Sequence, residues 1–229
     1  MTSNLIPVIT IDGPSGAGKG TIAQSVATEL SFNILDSGSL YRLTALASQN
    51  EGLDLSNEAA IAELALDLPV AFKPTASGLQ ILLSDEDVSE TIRKEEIGML
   101  ASKVAAIPAV RDALLARQRS FSEAPGLVAD GRDMGTTIFP DAPLKVFMTA
   151  SAEERAERRF KQLKAKGISA NIAALVNDLK LRDEQDANRA VSPLKPADDA
   201  VQIDTTEMGI NEVTQMVLAL AKQRLSLSP

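Results

Sequence analysis

The stretch Gly13-Pro14-Ser15-Gly16-Ala17-Gly18-Lys19-Gly20-Thr21 has the residue types and spacing of a phosphate cradle. Its glycines let consecutive backbone N–H groups turn inward around one oxyanion, because no Cβ obstructs the positive-φ conformations this requires. A lysine at this point reaches the β- and γ-phosphates of a nucleotide, and a helix starting beside it adds the partial positive charge of its N-terminus. The chemistry on offer is the holding and transfer of phosphoryl groups. The plain alternative, a glycine-rich turn with a surface lysine, fits less well between a buried strand and an amphipathic helix.

A phosphoryl donor and acceptor together bring several negative charges into one site, and arginine suits their neutralisation through its planar fork and permanent charge. The candidates are Arg42, Arg111, Arg132, the set Arg155, Arg158 and Arg159, then Arg182 and Arg189. Arg132 is wedged into Asp130-Gly131-Arg132-Asp133 directly after a short apolar run, where a surface role is hard to argue. The Arg155–Arg159 set also reads as a solvated helix face paired with Glu153, Glu154 and Glu157.

The elements that must carry these groups alternate between strand and helix. Pro7 to Asp12 reads as a buried strand and is followed by helix to about Leu30, with Ile22, Val26 and Leu30 in register. Phe32 to Leu35 is a second strand, ended by a turn at Asp36-Ser37-Gly38, where Asp36 and Ser37 also read as plain turn and cap residues. Helices are expected over Ser39–Gln49 and Glu58–Leu68. A hairpin follows, with strands near 70–73 and 79–83 around Pro74–Gly78 and a possible third strand at Asp85–Val88. Helical spacing covers Thr91–Ala106, and Pro108 restarts a helix at its first position. Strands at 127–129, 144–149 and 201–204 and helices at 151–166, 171–186 and 210–225 complete the chain. Ser151 to Glu154 reads as a capping box, and Gly167 as a helix stop. Five short apolar strands alternating with helices predict a parallel, doubly wound α/β sheet, with an antiparallel insertion at about 65–92. Ligands of such sheets bind beyond the C-terminal strand ends, where Gly13, Asp36-Ser37 and Asp130–Asp133 would converge.

With 229 residues, one domain with insertions or two small domains is expected. Histidine and cysteine are absent, which excludes a disulfide framework, a thiol nucleophile, a Cys/His zinc site and a Ser–His relay. Phosphoryl transfer needs none of these. A net charge of −8 argues against a nucleic-acid partner. No apolar run approaches the roughly 20 residues that span a bilayer. Residues 1–6 show no basic and apolar leader, so a cytoplasmic location is expected.

The generic cradle places Ser or Thr directly after the lysine, whereas Gly20 intervenes here and Thr21 follows. This form resembles the nucleoside monophosphate kinases. Together with Asp36-Ser37-Gly38, Tyr41-Arg42, the run Asp130-Gly131-Arg132-Asp133-Met134-Gly135-Thr136, and Arg182-Asp183 through Asn188-Arg189-Ala190, the chain resembles bacterial cytidylate kinases along essentially its whole length, with no departure at these positions. The resemblance implies a P-loop core over residues 1–40, 106–151 and 187–229, a nucleotide-monophosphate region over 41–105 and a lid over 152–186. It implies ATP at Gly13 to Thr21 (Gly13, Pro14, Ser15, Gly16, Ala17, Gly18, Lys19, Gly20, Thr21) and at Arg155, Arg158 and Arg159. Mg2+ would lie at the Thr21 hydroxyl. CMP or dCMP would meet Ser37, Tyr41, Arg42, Ser102, Arg111, Asp130, Arg132, Asp133, Arg182, Asp186 and Arg189. Of these, Ser102, Arg111 and Asp133 would face the base, Ser37, Arg42 and Arg132 the acceptor phosphate, and Arg182, Asp186 and Arg189 the sugar and phosphates. Lys19, Arg132, Arg158 and Arg182 would act in the transfer itself. The implied reaction is direct in-line transfer from MgATP to CMP by a monomer, with no membrane or nucleic-acid partner.

Three other readings are open on the residues alone. A kinase of another acceptor, such as UMP or AMP, would keep the fold and differ around Ser102, Arg111 and Asp133. A GTPase switch would need an Asn-Lys-x-Asp motif, which is absent, and a hydroxyl where Gly20 stands. A non-catalytic nucleotide-binding module would not need so many arginines.

Overall fold

The computed structural model describes residues 6–75 and 78–225. In chain order the elements are β1 (Val8–Asp12), α1 (Lys19–Leu30), β2 (Asn33–Asp36), α2 (Ser37–Asn50), α3 (Glu58–Leu66), β3 (Val70–Thr75), β4 (Gly78–Leu83) and β5 (Glu86–Asp87). Then come α4 (Glu95–Val104), α5 (Pro108–Ser120), β6 (Leu127–Gly131), β7 (Leu144–Thr149), α6 (Ala152–Ala165), α7 (Ile172–Ala187), β8 (Val201–Asp204) and α8 (Ile210–Leu225). The chain divides into two compact units, one of residues 37–118 and one of the remainder.

The larger unit is built on a five-stranded sheet in the order β2-β6-β1-β7-β8, with every adjacent pair parallel. β1 is central and buried along its whole length, which is why its sequence is a continuous β-branched run rather than an alternating one. Ile9 and Ile11 pack with Ile22, Ala23 and Val26 of α1 and with Val213, Val217 and Ala221 of α8 in one core. The register places Asp36 beside Asp130, and Asp12 beside Gly131, at the C-terminal edge of the sheet. The parallel α/β class and the convergence of these strand ends agree with the sequence.

The smaller unit carries a three-stranded antiparallel sheet, β3-β4-β5, and its own core of Leu43, Leu46, Leu68, Ile81, Leu83, Ile92 and Ile97. The antiparallel insertion is therefore present, with Glu86–Asp87 as its third strand. Its turn is tighter than the sequence suggests: Pro74 pairs with Leu79 and Thr75 with Gly78, and Ala76 and Ser77 lie outside the described residues.

Other boundaries differ for local reasons. The expected turn at Asp36–Gly38 is not one. β2 runs to Asp36 and α2 opens at Ser37, whose hydroxyl donates to Gln118 Oε1 at 2.7 Å and is satisfied without a loop. The helical stretch at 91–106 is broken at Lys94, which is extended between a 3-10 turn at Thr91–Arg93 and α4. The capping box at Ser151 is half formed. Ser151 Oγ accepts from Glu154 N at 3.1 Å, but the Glu154 carboxylate takes Arg158 instead of returning to residue 151. The Ser151 N–H donates to Thr206 Oγ1.

Candidate active site

The cradle is shaped by close approaches that exclude side chains. Gly13 has φ +148°, and a Cβ there would lie 2.1 Å from the Met148 carbonyl oxygen of β7. Gly16 and Gly18 take φ of +80° and +90°, the left-handed region that glycine enters without steric cost. Gly18 is the N-cap of α1, so the loop ends where that helix's free N–H groups begin. Thr21 is exposed on the first turn of α1. Gly20 lies against Asp130, and a Cβ there would come within 3.3 Å of Asp130 Oδ2.

Lys19 is buried, donates to the Pro14 carbonyl at 3.0 Å and stands 3.7 Å from Asp130 Oδ1. Burial pulls its ammonium below the ordinary lysine pKa, with the Asp130 charge acting against that pull. Asp130 is pushed up to about 6, chiefly by burial, and Lys19 opposes the shift. Asp12 is pushed up to about 7 by burial, although it accepts two backbone hydrogen bonds.

These shifts bear on stability. A carboxyl whose pKa rises on folding stabilises the fold fully below the ordinary value of 3.8 and loses that contribution as pH climbs through the folded value. The loss runs from 3.8 up to about pH 6 for Asp130 and up to about pH 7 for Asp12, so its upper part falls between pH 5.5 and 8. Without nucleotide, stability from urea unfolding is expected to be lower at pH 8 than at pH 5.5 by on the order of 2 kcal/mol. Equal or greater stability at pH 8 would contradict the burial of these two charges.

The turn after β6 holds the next group. Arg132 pairs through Nε with Asp186 near the end of α7. Burial works against the Arg132 charge, but Asp186 more than offsets it and holds the guanidinium above its ordinary pKa. Burial likewise works against the Asp186 charge, yet Arg132, Arg189 and Arg182 keep that carboxyl below the usual range. Arg189 Nε donates to the Asp186 carbonyl at 3.3 Å. Asp133 is buried and begins a π-helical turn over Met134–Ile138, its carbonyl accepting from Thr137 N and Ile138 N.

The helices α6 and α7 bring arginines onto the cradle. Arg155 is 3% exposed, donates to the Ser15 carbonyl at 2.8 Å and pairs with Asp183. Arg182, also buried, donates to Ser15 Oγ at 3.2 Å. Arg158 binds Glu154 and the Thr205 carbonyl, and Arg159 is half-buried. A wholly solvated face does not describe this helix.

In the smaller unit, Ser37 is buried on Gln118. The Arg111 guanidinium stacks over the Tyr41 ring at 5.6 Å and donates to the Ala105 carbonyl. Arg42 donates to the Ile92 carbonyl at 2.6 Å, and the buried Ser102 hydroxyl donates to the Gly98 carbonyl at 3.3 Å.

Sequence reasoning assigned no role to Asp12, Asp183, Gln118 or Thr205. Only Asp12 carried a signal, an acidic residue closing a buried apolar strand. The other three meet partners supplied by distant segments.

The cytidylate kinase profile matches residues 9–223. The chain is 60% identical to a cytidylate kinase of Pseudomonas syringae pv. tomato (strain ATCC BAA-871 / DC3000) over 93% of this chain and 94% of that one. It is 58% identical to a cytidylate kinase of Stutzerimonas stutzeri (strain A1501), covering 96% of each. It also aligns with a solved gluconokinase from Sinorhizobium meliloti 1021 at 16% identity and a TM-score of 0.48, over 98% of this chain and 97% of that one. The profile spans nearly all of a chain that carries a glycine cradle, an Asp-Gly-Arg-Asp turn and a set of arginines around them, and the chain belongs to the cytidylate kinase family.

Proposed function

We propose that the chain transfers the γ-phosphoryl group of ATP to a phosphate oxygen of CMP or dCMP. The bond from the γ-phosphorus to its bridging oxygen breaks, a bond to the acceptor oxygen forms, and ADP and CDP or dCDP leave. The observation that carries the reading is the adjacency of β1 and β6: Lys19 of the cradle and Asp130 of the Asp-Gly-Arg-Asp turn are 3.7 Å apart. In this reading the donor cradle and the Asp130–Asp133 part of the acceptor machinery follow neighbouring strands.

In this reading the residues from Gly13 to Thr21 cradle the ATP phosphates, and Lys19, Arg132, Arg158 and Arg182 offset charge as it moves from donor to acceptor. Arg155 and Arg159 serve the ATP side. Ser37, Tyr41, Arg42 and Asp130 line the acceptor site, with Arg132 on the CMP phosphate and Asp186 and Arg189 toward the sugar. The acceptor oxygen is anionic near neutral pH, so no general base is required, which suits a chain without histidine.

Among the described residues no cluster of three acidic side chains forms a metal cage. In this reading Mg2+ is carried largely by nucleotide phosphates, with the exposed Thr21 hydroxyl as its protein oxygen. When bound, the ion would neutralise charge on the β- and γ-phosphate oxygens. The reading takes the chain as a cytoplasmic monomer. No helix among the described residues is long and apolar enough to cross a membrane.

Base choice is assigned to Ser102, Arg111 and Asp133. Cytosine offers an N4 donor where uracil offers an acceptor, and a buried carboxylate facing an acceptor is penalised. An ADP-release assay across CMP, dCMP, UMP, AMP and GMP should show CMP and dCMP used best. Asp133→Ala should cut kcat/KM for CMP about tenfold or more and for UMP much less. Equal losses for both would remove Asp133 from base recognition, and faster turnover of AMP or UMP than CMP would overturn the proposed acceptor.

A further inference from the structure

Asp12 is a buried carboxyl that the reaction scheme leaves unused. It is the last residue of β1, directly before Gly13, and is 5% exposed. Its two carboxylate oxygens accept separate backbone hydrogen bonds, Oδ1 from Met134 N and Oδ2 from Gly135 N, each at 2.8 Å. Both donors belong to the π-helical turn that follows Arg132 and Asp133. Such turns are rare, and those that occur are frequently at functional sites.

A second contact seats the same turn. Thr10 lies two residues before Asp12 and therefore on the same face of β1. Gly135 approaches Thr10 so closely that an added Cβ would stand 2.9 Å from Thr10 Oγ1 and 3.1 Å from Lys145 Cδ.

We infer that Asp12 is a positioning residue, whose carboxylate ties the turn carrying Arg132 and Asp133 to the strand that launches the ATP cradle. The inference rests on the reading that Arg132 and Asp133 serve the acceptor nucleotide. Only a carboxylate meets the geometry. It accepts on both oxygens, whereas an asparagine would present an NH2 to one of the two N–H groups, setting donor against donor in a buried place. Burial makes the charge costly, as its upward pKa shift shows, so a plain packing role would be better filled by an uncharged side chain.

The test compares Asp12→Asn and Asp12→Ala with the unmodified full chain in two measurements. The first is amide hydrogen exchange, without nucleotide, in peptides covering residues 131–139 and 13–22. The second is the KM for CMP and for ATP, each at saturating partner. Both variants should lose protection at 131–139 well beyond any change at 13–22. Both should raise the CMP KM about tenfold or more, with the ATP KM staying within threefold. Asparagine should not rescue.

Unchanged exchange at 131–139, or an asparagine variant like the wild type, overturns the inference alone. Loosened exchange with an unchanged CMP KM overturns the site reading, and the inference falls with it. Equal rises in both KM values also overturn it, by reducing Asp12 to a general structural residue. If the Asp12 variants do not fold, Gly135→Ala displaces the same turn, and with it the N–H that donates to Asp12 Oδ2, while leaving the Asp12 carboxyl in the chain. The same exchange and KM split is expected there, and its absence is equally fatal.

Discussion

Lys19→Ala is expected to lower turnover by about 10² to 10³ while CMP affinity stays within about threefold. The ammonium is already buried against the Pro14 carbonyl and beside Asp130, so in the proposed role it would meet the γ-phosphoryl group preorganised and nearly dry. Such a charge is worth most where new negative charge develops, in the transition state rather than in the acceptor complex. The variant should also stay folded, for a reason visible in the site. Removing the lysine leaves Asp130 without its cation, but that carboxyl already sits near pKa 6 and can take up a proton instead of remaining as an unpaired buried charge. Steady-state kinetics, with calorimetry for CMP, check the split. Turnover within threefold of the unmodified protein would dismiss Lys19 from the transfer step.

Arg132→Ala should weaken CMP binding by about 30-fold or more, the equivalent of about 2–5 kcal/mol for truncating one partner of a charge-assisted pair. The competing account is that Arg132 exists only to hold Asp186. On that account Arg132→Ala destabilises the fold, by stranding a buried carboxylate, and affects CMP only through unfolding. The double variant Arg132→Ala with Asp186→Asn separates the two. It removes the stranded charge and should recover much of the lost stability without recovering CMP affinity. A calorimetric change below threefold in Arg132→Ala would leave the arginine structural.

Local signals made much of this site legible in the sequence. The cradle, the strand ends and the amphipathic faces of α1 and α8 are written in neighbouring residues, and each lies where the pattern puts it. Reading failed where the deciding partner is remote. Arg155 reads equally as surface or site, because its helix is rich in glutamate. Its burial is set by Asp183 and the Ser15 carbonyl, both from other segments. The glycine at 38 suggested a turn, yet Gln118 satisfies Ser37 from the far end of the unit and a helix starts there. Glu154 has the spacing of a reciprocal cap, but Arg158 one turn on takes its carboxylate. Asp12 was visible as a residue type and silent as to role, since its donors are backbone amides that carry no sequence signature.

The contact between Gly20 and Asp130 constrains how this cradle can vary. A side chain at position 20 would bring its first carbon within 3.3 Å of Asp130 Oδ2, while Asp130 Oδ1 faces Lys19. Positions 20 and 130 are therefore coupled: a side chain at 20 asks the Asp130 carboxylate to give by a few tenths of an ångström. Grafting the commoner Gly-Lys-Ser order into this chain would tighten the contact with Asp130. Where Asp130 stays, the hydroxyl belongs one residue further along the helix, which is where this chain has it.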